Sequence, residues 1–276
     1  VRKAKKLEIK PGLYTDMSHQ EYNNLPMNII RNSYLNNMDY CPAKARTAMQ
    51  KDTPSLLLGR AAHSLVLEGK DAFDSEFAVA PLGDRRSKAG KKAWVDFATD
   101  NLTKTVVSQK DWVKIYGMSQ AVRAHPFAKQ LLETGLSEQT VIWKDEETGI
   151  MCRCRPDRMP SGHKILVDFK GTKDASPYGF DKAISTYFYY RQAAMYLEGI
   201  SKVTGEQYDA FVLIACEWEF PHRMDVCTID ADYLAWGSRE FHDLLRLEAK
   251  CREDNHWPHY KDAGARDSML PAYKGL

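Results

Sequence analysis

The sequence predicts an α/β domain with helices packed on a mixed central sheet. Two observations lead there. Apolar residues recur at helical spacing over 56–67, 187–200 and 233–252, and strand-like runs at 140–143, 150–155, 165–170, 210–216 and 224–229 fall between them. The order of helix, strands, helix, strands, helix fits one main domain, residues 55–276, preceded by an amino-terminal wrapping segment, residues 1–54. A chain of 276 residues with 43% hydrophobic content can bury a sizeable core.

Each element follows from local pattern. Residues 11–54 mix Asn, Pro and Tyr with short apolar patches, which predicts loops and one or two short helices laid around the core. The first long helix carries His63 and stops at Gly69. Arg85, Arg86, Lys88, Lys91 and Lys92 form a basic stretch, read either as a solvated loop or as a DNA-contacting arm. Amphipathic helices follow around Trp94 and over 112–123. Beyond Glu138, Thr140-Val141-Ile142-Trp143 and Ile150-Met151-Cys152-Arg153-Cys154-Arg155 flank a turn at Asp145-Glu146-Glu147-Thr148-Gly149, the pattern of a hairpin. A second turn at Pro160-Ser161-Gly162 leads into Ile165-Leu166-Val167-Asp168-Phe169-Lys170, so a three-stranded antiparallel meander is expected.

Composition bounds the function. A net charge of +2 shows no basic excess, so any nucleic-acid site must be a local surface. No run approaches the roughly 18 apolar residues of a membrane span, and the charged start Val1-Arg2-Lys3-Ala4-Lys5-Lys6 has no apolar stretch behind it, which reads as intracellular. A start at Val1 rather than Met reads as a processed end or a fragment, leaving an upstream domain open. The six cysteines are too dispersed for a small disulfide framework and are read as reduced thiols; Cys152 and Cys154, two apart in a strand, point to one face.

The most informative stretch is Pro156-Asp157, ten residues, then Asp168-Phe169-Lys170. Alternation puts Asp168 and Lys170 on one strand face and turns Val167 and Phe169 into the core. Asp157, expected on the preceding strand of the meander, can then lie beside Asp168, and paired carboxylates attract a hard cation such as Mg²⁺. A metal held there can polarise a phosphodiester and acidify a bound water. Lys170 can orient that water or stabilise developing negative charge. Taken singly, each signal has a structural reading too. Asp168 and Lys170 can be a surface ion pair, His63 a satisfied core histidine, and Gln192 with Tyr189 and Tyr196 a packed helix face. Arg153 and Arg155, sharing the expected strand face of Asp157, are the nearest candidates for a DNA phosphate, or else ordinary salt-bridging arginines.

In order and spacing, Gly59-Arg60-Ala61-Ala62-His63, Arg155-Pro156-Asp157, Asp168-Phe169-Lys170 and Gln192-Ala193-Ala194-Met195-Tyr196 resemble the RecB-like branch of the PD-(D/E)XK nucleases. With Pro11-Gly12-Leu13-Tyr14 and the run Gly149 to Asp157, they look like the carboxy-terminal nuclease domains of RecE (exonuclease VIII) type, over about residues 11–258. The resemblance implies a restriction-endonuclease-like core. It implies that His63, Asp157, Asp168 and the Phe169 carbonyl hold the metal, that Lys170 serves the attacking water, and that Gln192 and Tyr196 line the site near DNA. Glu138 matches an acidic residue approaching a second metal. Mg²⁺ is the expected cofactor, with Mn²⁺ as the alternative. The implied activity is 5′-to-3′ digestion of linear double-stranded DNA, leaving 3′ tails for a RecT-type single-strand annealing protein. A ring-shaped homotetramer in a bacterial or phage-infected cytoplasm completes the expectation, with backbone contacts from Arg153, Arg155 and Lys173. One departure is Gly171 after Lys170, where the relative has Thr, with Thr172 next.

Two competing classes remain. Iron-sulfur relatives need one cysteine near the amino terminus and a close carboxy-terminal trio; Cys216, Cys227 and Cys251 are widely spaced, so no cluster is expected. A degenerate nuclease fold that only holds DNA ends would lack a metal or lysine position, and none is missing.

Overall fold

The computed structural model describes residues 9–47 and 53–260; the charged start and the carboxy-terminal tail lie outside these residues. The amino-terminal part contains β1 (Gly12–Tyr14) and three helices, α1 (His19–Asn24), α2 (Asn32–Tyr40) and α3 (Pro42–Thr47), against the one or two expected. β1 is woven into the protein: Gly12 pairs with Ile142, and the backbone of Ile30 bridges to Cys152. Next come α4 (Pro54–His63), a π-helical turn (Ser64–Glu68), α5 (Lys70–Glu76), β2 (Phe77–Val79), α6 (Lys88–Asp100), β3 (Thr105–Val107), α7 (Gln109–Ala124) and α8 (Pro126–Glu133). Side chains of Ser18, Thr53, Ser87 and Ser108 accept from the first-turn amides of α1, α4, α6 and α7, satisfying donors that have no partner within the helix.

The second half holds β4 (Leu136–Ser137), β5 (Thr140–Lys144), β6 (Met151–Cys154), β7 (Arg158–Met159), β8 (Ile165–Thr172), α9 (Pro177–Thr186), α10 (Tyr189–Thr204), β9 (Ala210–Glu217), β10 (Met224–Thr228) and α11 (Ala231–Glu253). The main sheet is mixed, in the order β10-β9-β8-β7-β4, with β8 and β9 parallel and the other neighbours antiparallel. A second sheet, β1-β5-β6, is antiparallel.

The expected meander is corrected here. β5 and β6 do form the hairpin, but β6 ends at Cys154, and β8 pairs with the two-residue β7 and with β9. Pro156 has no N–H to give a ladder. The chain leaves one sheet at Arg155 and enters the other at Arg158, so Asp157 lies between strands rather than on one.

Two cores flank the main sheet. Leu166, Phe211, Leu213 and Ala215 pack under α2, α9, α10 and α11, while Val167, Phe169, Val212 and Ile214 pack against α4, the π turn, α5, α7 and α8. Alternation along β8 therefore turns Asp168 and Lys170 toward α10 and Phe169 toward α4, as predicted from their spacing. Cys152 and Cys154 are buried in the first core. No helix among the described residues is long and apolar enough to cross a membrane.

Candidate active site

His63 is the last residue of α4, where the helix meets the main sheet. Its ring sits edge-on to Phe169 at 5.4 Å. Asp157 is drawn to the same point: Oδ2 accepts from Phe169 N at 2.7 Å and lies 3.3 Å from His63 Nδ1. Glu138, at φ 54° between β4 and β5, hydrogen-bonds through its N–H to the Asp157 carbonyl and pairs with Arg155 at 2.9 Å.

On the α10 side, Asp168 Oδ1 accepts from Gln192 Nε2 at 2.7 Å, and Lys170 Nζ lies 2.6 Å from Asp168 Oδ2 and 3.2 Å from Gln192 Oε1. The Tyr189 ring lies 4.5 Å beneath the ammonium. Burial opposes a charge on Lys170, but Asp168, Tyr189 and Asp157 outweigh it and raise its affinity for the proton. Lys170 is therefore a cation at neutral pH.

The acids are under the opposite stress. Burial first, then the charge of Asp168, holds Asp157 well above the carboxylate range, and burial with Asp157 nearby pushes Glu138 up to about 7. Burial also lowers the affinity of His63 for a proton, which leaves a neutral imidazole, the form that binds metals. Donor atoms of His63, Glu138 and Asp157 all lie within 4.8 Å of one another. Asp168, 1% exposed, has no directed hydrogen bond at Oδ2, only the ion pair to Lys170. Crowded carboxylates with one imidazole and no thiolate suit a hard divalent cation.

A cleft of about 530 Å³ opens on these residues, lined among others by His63, Glu138, Arg155, Asp157 and Tyr196; Asp168, Lys170 and Gln192 are not among its lining residues, although Asp168 and Lys170 lie close enough to act on Asp157. Two phosphate candidates are not in it. Lys173 is exposed in the loop after β8 and lines none of the described pockets. Arg153 does share a face with Arg155, the two guanidinium groups lying 5.1 and 5.7 Å from the Tyr22 ring, but it opens into a separate pocket beyond Tyr22. The shared alternation was right; the inference that both reach Asp157 is corrected, because the strand ends between Arg153 and Asp157.

The cleft also holds His19, Arg60, Glu68 and Glu76, of which only Arg60 falls within one of the sequence motifs. Arg60 precedes His63 by three positions, a spacing that places both on one helix face. Glu68 follows His63 by five, which an α-helix would turn about 140° away. The π turn, closed by Gly69 N to Ser64 O at 3.0 Å, brings the fifth residue back over the first. Burial and Glu76 raise the proton affinity of Glu68; burial, Arg60 and Arg155 pull His19 down to about 4.

Over residues 32–268 the sequence matches the family described as PDDEXK-like domain of unknown function (DUF3799). The chain belongs to this family. Its PDDEXK-like fold is similar to a Eubacterium rectale structure described as a "putative exonuclease", with a TM-score of 0.59 and 12% identity, over 95% of this chain and 97% of that one. A Laribacter hongkongensis alkaline exonuclease overlaps more loosely, with a TM-score of 0.24 and 13% identity, over 74% of this chain and 97% of that one. Comparison with curated proteins gives no match. The mixed sheet between two helical layers is thus the PD-(D/E)XK-type architecture that the motifs implied.

Proposed function

We propose that this PDDEXK-like domain is a divalent-metal-dependent exodeoxyribonuclease acting on linear duplex DNA. The supporting observation is the convergence of His63, Glu138 and Asp157 on one point, with the Asp168–Lys170 pair close enough to act on Asp157. In this reading His63, Asp157, Asp168 and the Phe169 carbonyl hold the ion, Mg²⁺ or alternatively Mn²⁺, and Glu138 approaches a second. The ion, when bound, supplies charge neutralisation of the scissile phosphate and acidification of a water.

The chain's own groups do the rest. Gln192 fixes the carboxylate of Asp168 and the ammonium of Lys170 together. Because Lys170 is held as a cation, its part is to orient the water and stabilise negative charge rather than to take the proton. Tyr196 and Arg155 line the approach for the strand, and Lys173 adds an exposed backbone contact.

The finer reading follows the RecE-type resemblance. Degradation runs 5′ to 3′, the 3′ tails pass to a RecT-type annealing protein, and the working form is a ring tetramer in a bacterial or phage-infected cytoplasm. Residues 1–54 then serve as a wrapping segment on a nuclease domain of residues 55–276.

The test is nucleotide release from end-labelled linear duplex beside a covalently closed circle, in Mg²⁺ and in chelator. Metal-dependent loss of the linear form with the circle spared is expected. Cutting of the circle would remove the exonuclease assignment, and retention of ends without hydrolysis in Mg²⁺ or Mn²⁺ would leave an end-binding module.

A further inference from the structure

Arg153 presents an unusual arrangement for a guanidinium. It is 3% exposed, and among the described residues its Nε and Nη1 have no hydrogen-bond partner and it forms no ion pair. Around it lie the face of the neutral Tyr22 ring and a second arginine, Arg31, and burial lowers its proton affinity. A buried cation with no counter-charge is costly to fold around, because desolvation is not offset by pairing. A merely structural arginine at this place would be expected to find a carboxylate or carbonyl.

The backbone holds it there deliberately. Arg153 N donates to the Ile30 carbonyl at 2.7 Å, and Ile30 N donates to the Met151 carbonyl at 2.8 Å, which fixes the entry to α2 against β6. As a result the start of α2 faces the same space. Its N-cap, Arg31, provides no side-chain cap, and the Tyr34 and Leu35 amides donate to the Arg31 carbonyl, which leaves the Asn32 and Ser33 amides and the exposed Ser33 hydroxyl as the donors the helix start can offer. The pocket, about 270 Å³, is lined by Arg153, Arg31, Ser33, Asn23, Asn37 and Tyr34 with apolar neighbours, and no carboxylate lines it. Guanidinium groups, a helix amino terminus and amide side chains around one small volume form the donor set that recognises a phosphate.

We propose that this pocket binds a phosphate monoester, with Arg153 as the buried anchor and the first turn of α2 closing over the oxygens. The volume suits one terminal group, since an internal diester would require chain to enter and leave. Tyr22 separates the pocket from the metal cleft while touching both arginines, so an occupied pocket would sit beside the path of a strand in the cleft. Phosphate binding itself does not rest on the nuclease reading; a strand end as its source does.

The test uses the full chain without divalent metal. Inorganic phosphate and a short oligonucleotide bearing a 5′ phosphate, a 3′ phosphate or only hydroxyl ends are titrated calorimetrically into wild type, Arg153→Met and Ser33→Ala. Wild type is expected to bind phosphate, Arg153→Met to bind it at least tenfold more weakly, and Ser33→Ala, on the exposed rim, to be weakened without risk to folding. Arg153→Met is expected to melt no lower than wild type, because it removes an unpaired buried charge, and phosphate should raise the melting temperature of wild type more than that of either variant. Tighter binding of one phosphorylated end over the hydroxyl oligonucleotide identifies a strand terminus as the source; inorganic phosphate binding with no preference among the oligonucleotides identifies free phosphate or a released mononucleotide. No binding of any phosphate by wild type, or binding by both variants as tight as that of wild type, overturns the proposal whether or not the protein digests DNA.

Discussion

Gln192 donates through Nε2 to Asp168 at 2.7 Å and accepts through Oε1 from Lys170 at 3.2 Å, so one amide holds an anion and a cation in register. A leucine of similar size at this position keeps the packing but frees both partners. Gln192→Leu should lower turnover roughly ten- to a hundredfold, the usual cost of losing a group that orients metal ligands. KM for DNA should change little. A fall in KM-level affinity with turnover intact would place Gln192 in substrate binding instead.

Asp168→Asn and Lys170→Met should separate metal holding from water handling. The first removes a ligand charge and should lose both cation affinity and hydrolysis. The second should keep cation affinity and lose about 10²–10³ in rate. Calorimetric titration with Mn²⁺ beside a digestion assay reads both; parallel loss of metal binding in the two variants would contradict the division.

His63→Ala should weaken cation binding with little change in melting temperature of the metal-free protein, since the imidazole is half-buried and neutral at the cleft edge. A large melting-temperature loss with unchanged metal affinity would return His63 to a packing role.

Stability and metal binding should depend on pH in opposite senses. Glu138 ionises near 4.5 in the unfolded chain and near 7 in the fold, and Asp157 is shifted upward as well. Between those values the folded state keeps a proton that the unfolded state has released, so the metal-free protein loses stability as pH rises from about 4.5 through 7. A cation needs the ionised acids, so its affinity should rise over the same window and level off above it. Thermal melts with and without Mg²⁺ at pH 5.5 and 8 provide the check: the metal-induced shift should be larger at pH 8. An equal shift at both would mean these acids do not titrate on binding.

Gly171→Thr tests the departure from the RecE-type pattern. A Cβ at Gly171 would stand 2.0 Å from the Trp218 ring, which explains the glycine after Lys170. The substitution should cost about 1–3 kcal/mol through overpacking. Trp218→Ala should relieve it, and a double-mutant cycle by urea denaturation gives the coupling. Additive losses would show that the contact is not the reason.

The pattern of β8 was readable in the sequence because period-two alternation leaves few choices for Asp168, Phe169 and Lys170. The helix bearing Gln192 and Tyr196 was readable for the same kind of reason, although it starts at Tyr189 rather than Tyr187. What escaped depends on the third dimension. The break at Pro156 moved Asp157 off the strand, and Arg153, on the same face as Arg155, opens into a separate pocket beyond the Tyr22 ring. Helical periodicity assumes 3.6 residues per turn, so the π turn that carries Glu68 to the cleft has no signal in an apolar count. Two-residue strands such as β4 and β7 are too short for any alternation to register.

The parallel pairing of β8 with β9 sets when, as well as where, the site exists. Its partners are joined through α9 and α10, and the converging groups come from positions 63, 138, 157, 168 and 192. Such contacts close long loops and form late, after local helices and the β5–β6 hairpin. During synthesis the half-made chain therefore carries His63 and Glu138 before Asp157, their partner in the converging group, has been made. The candidate site would be complete only when the last strands dock.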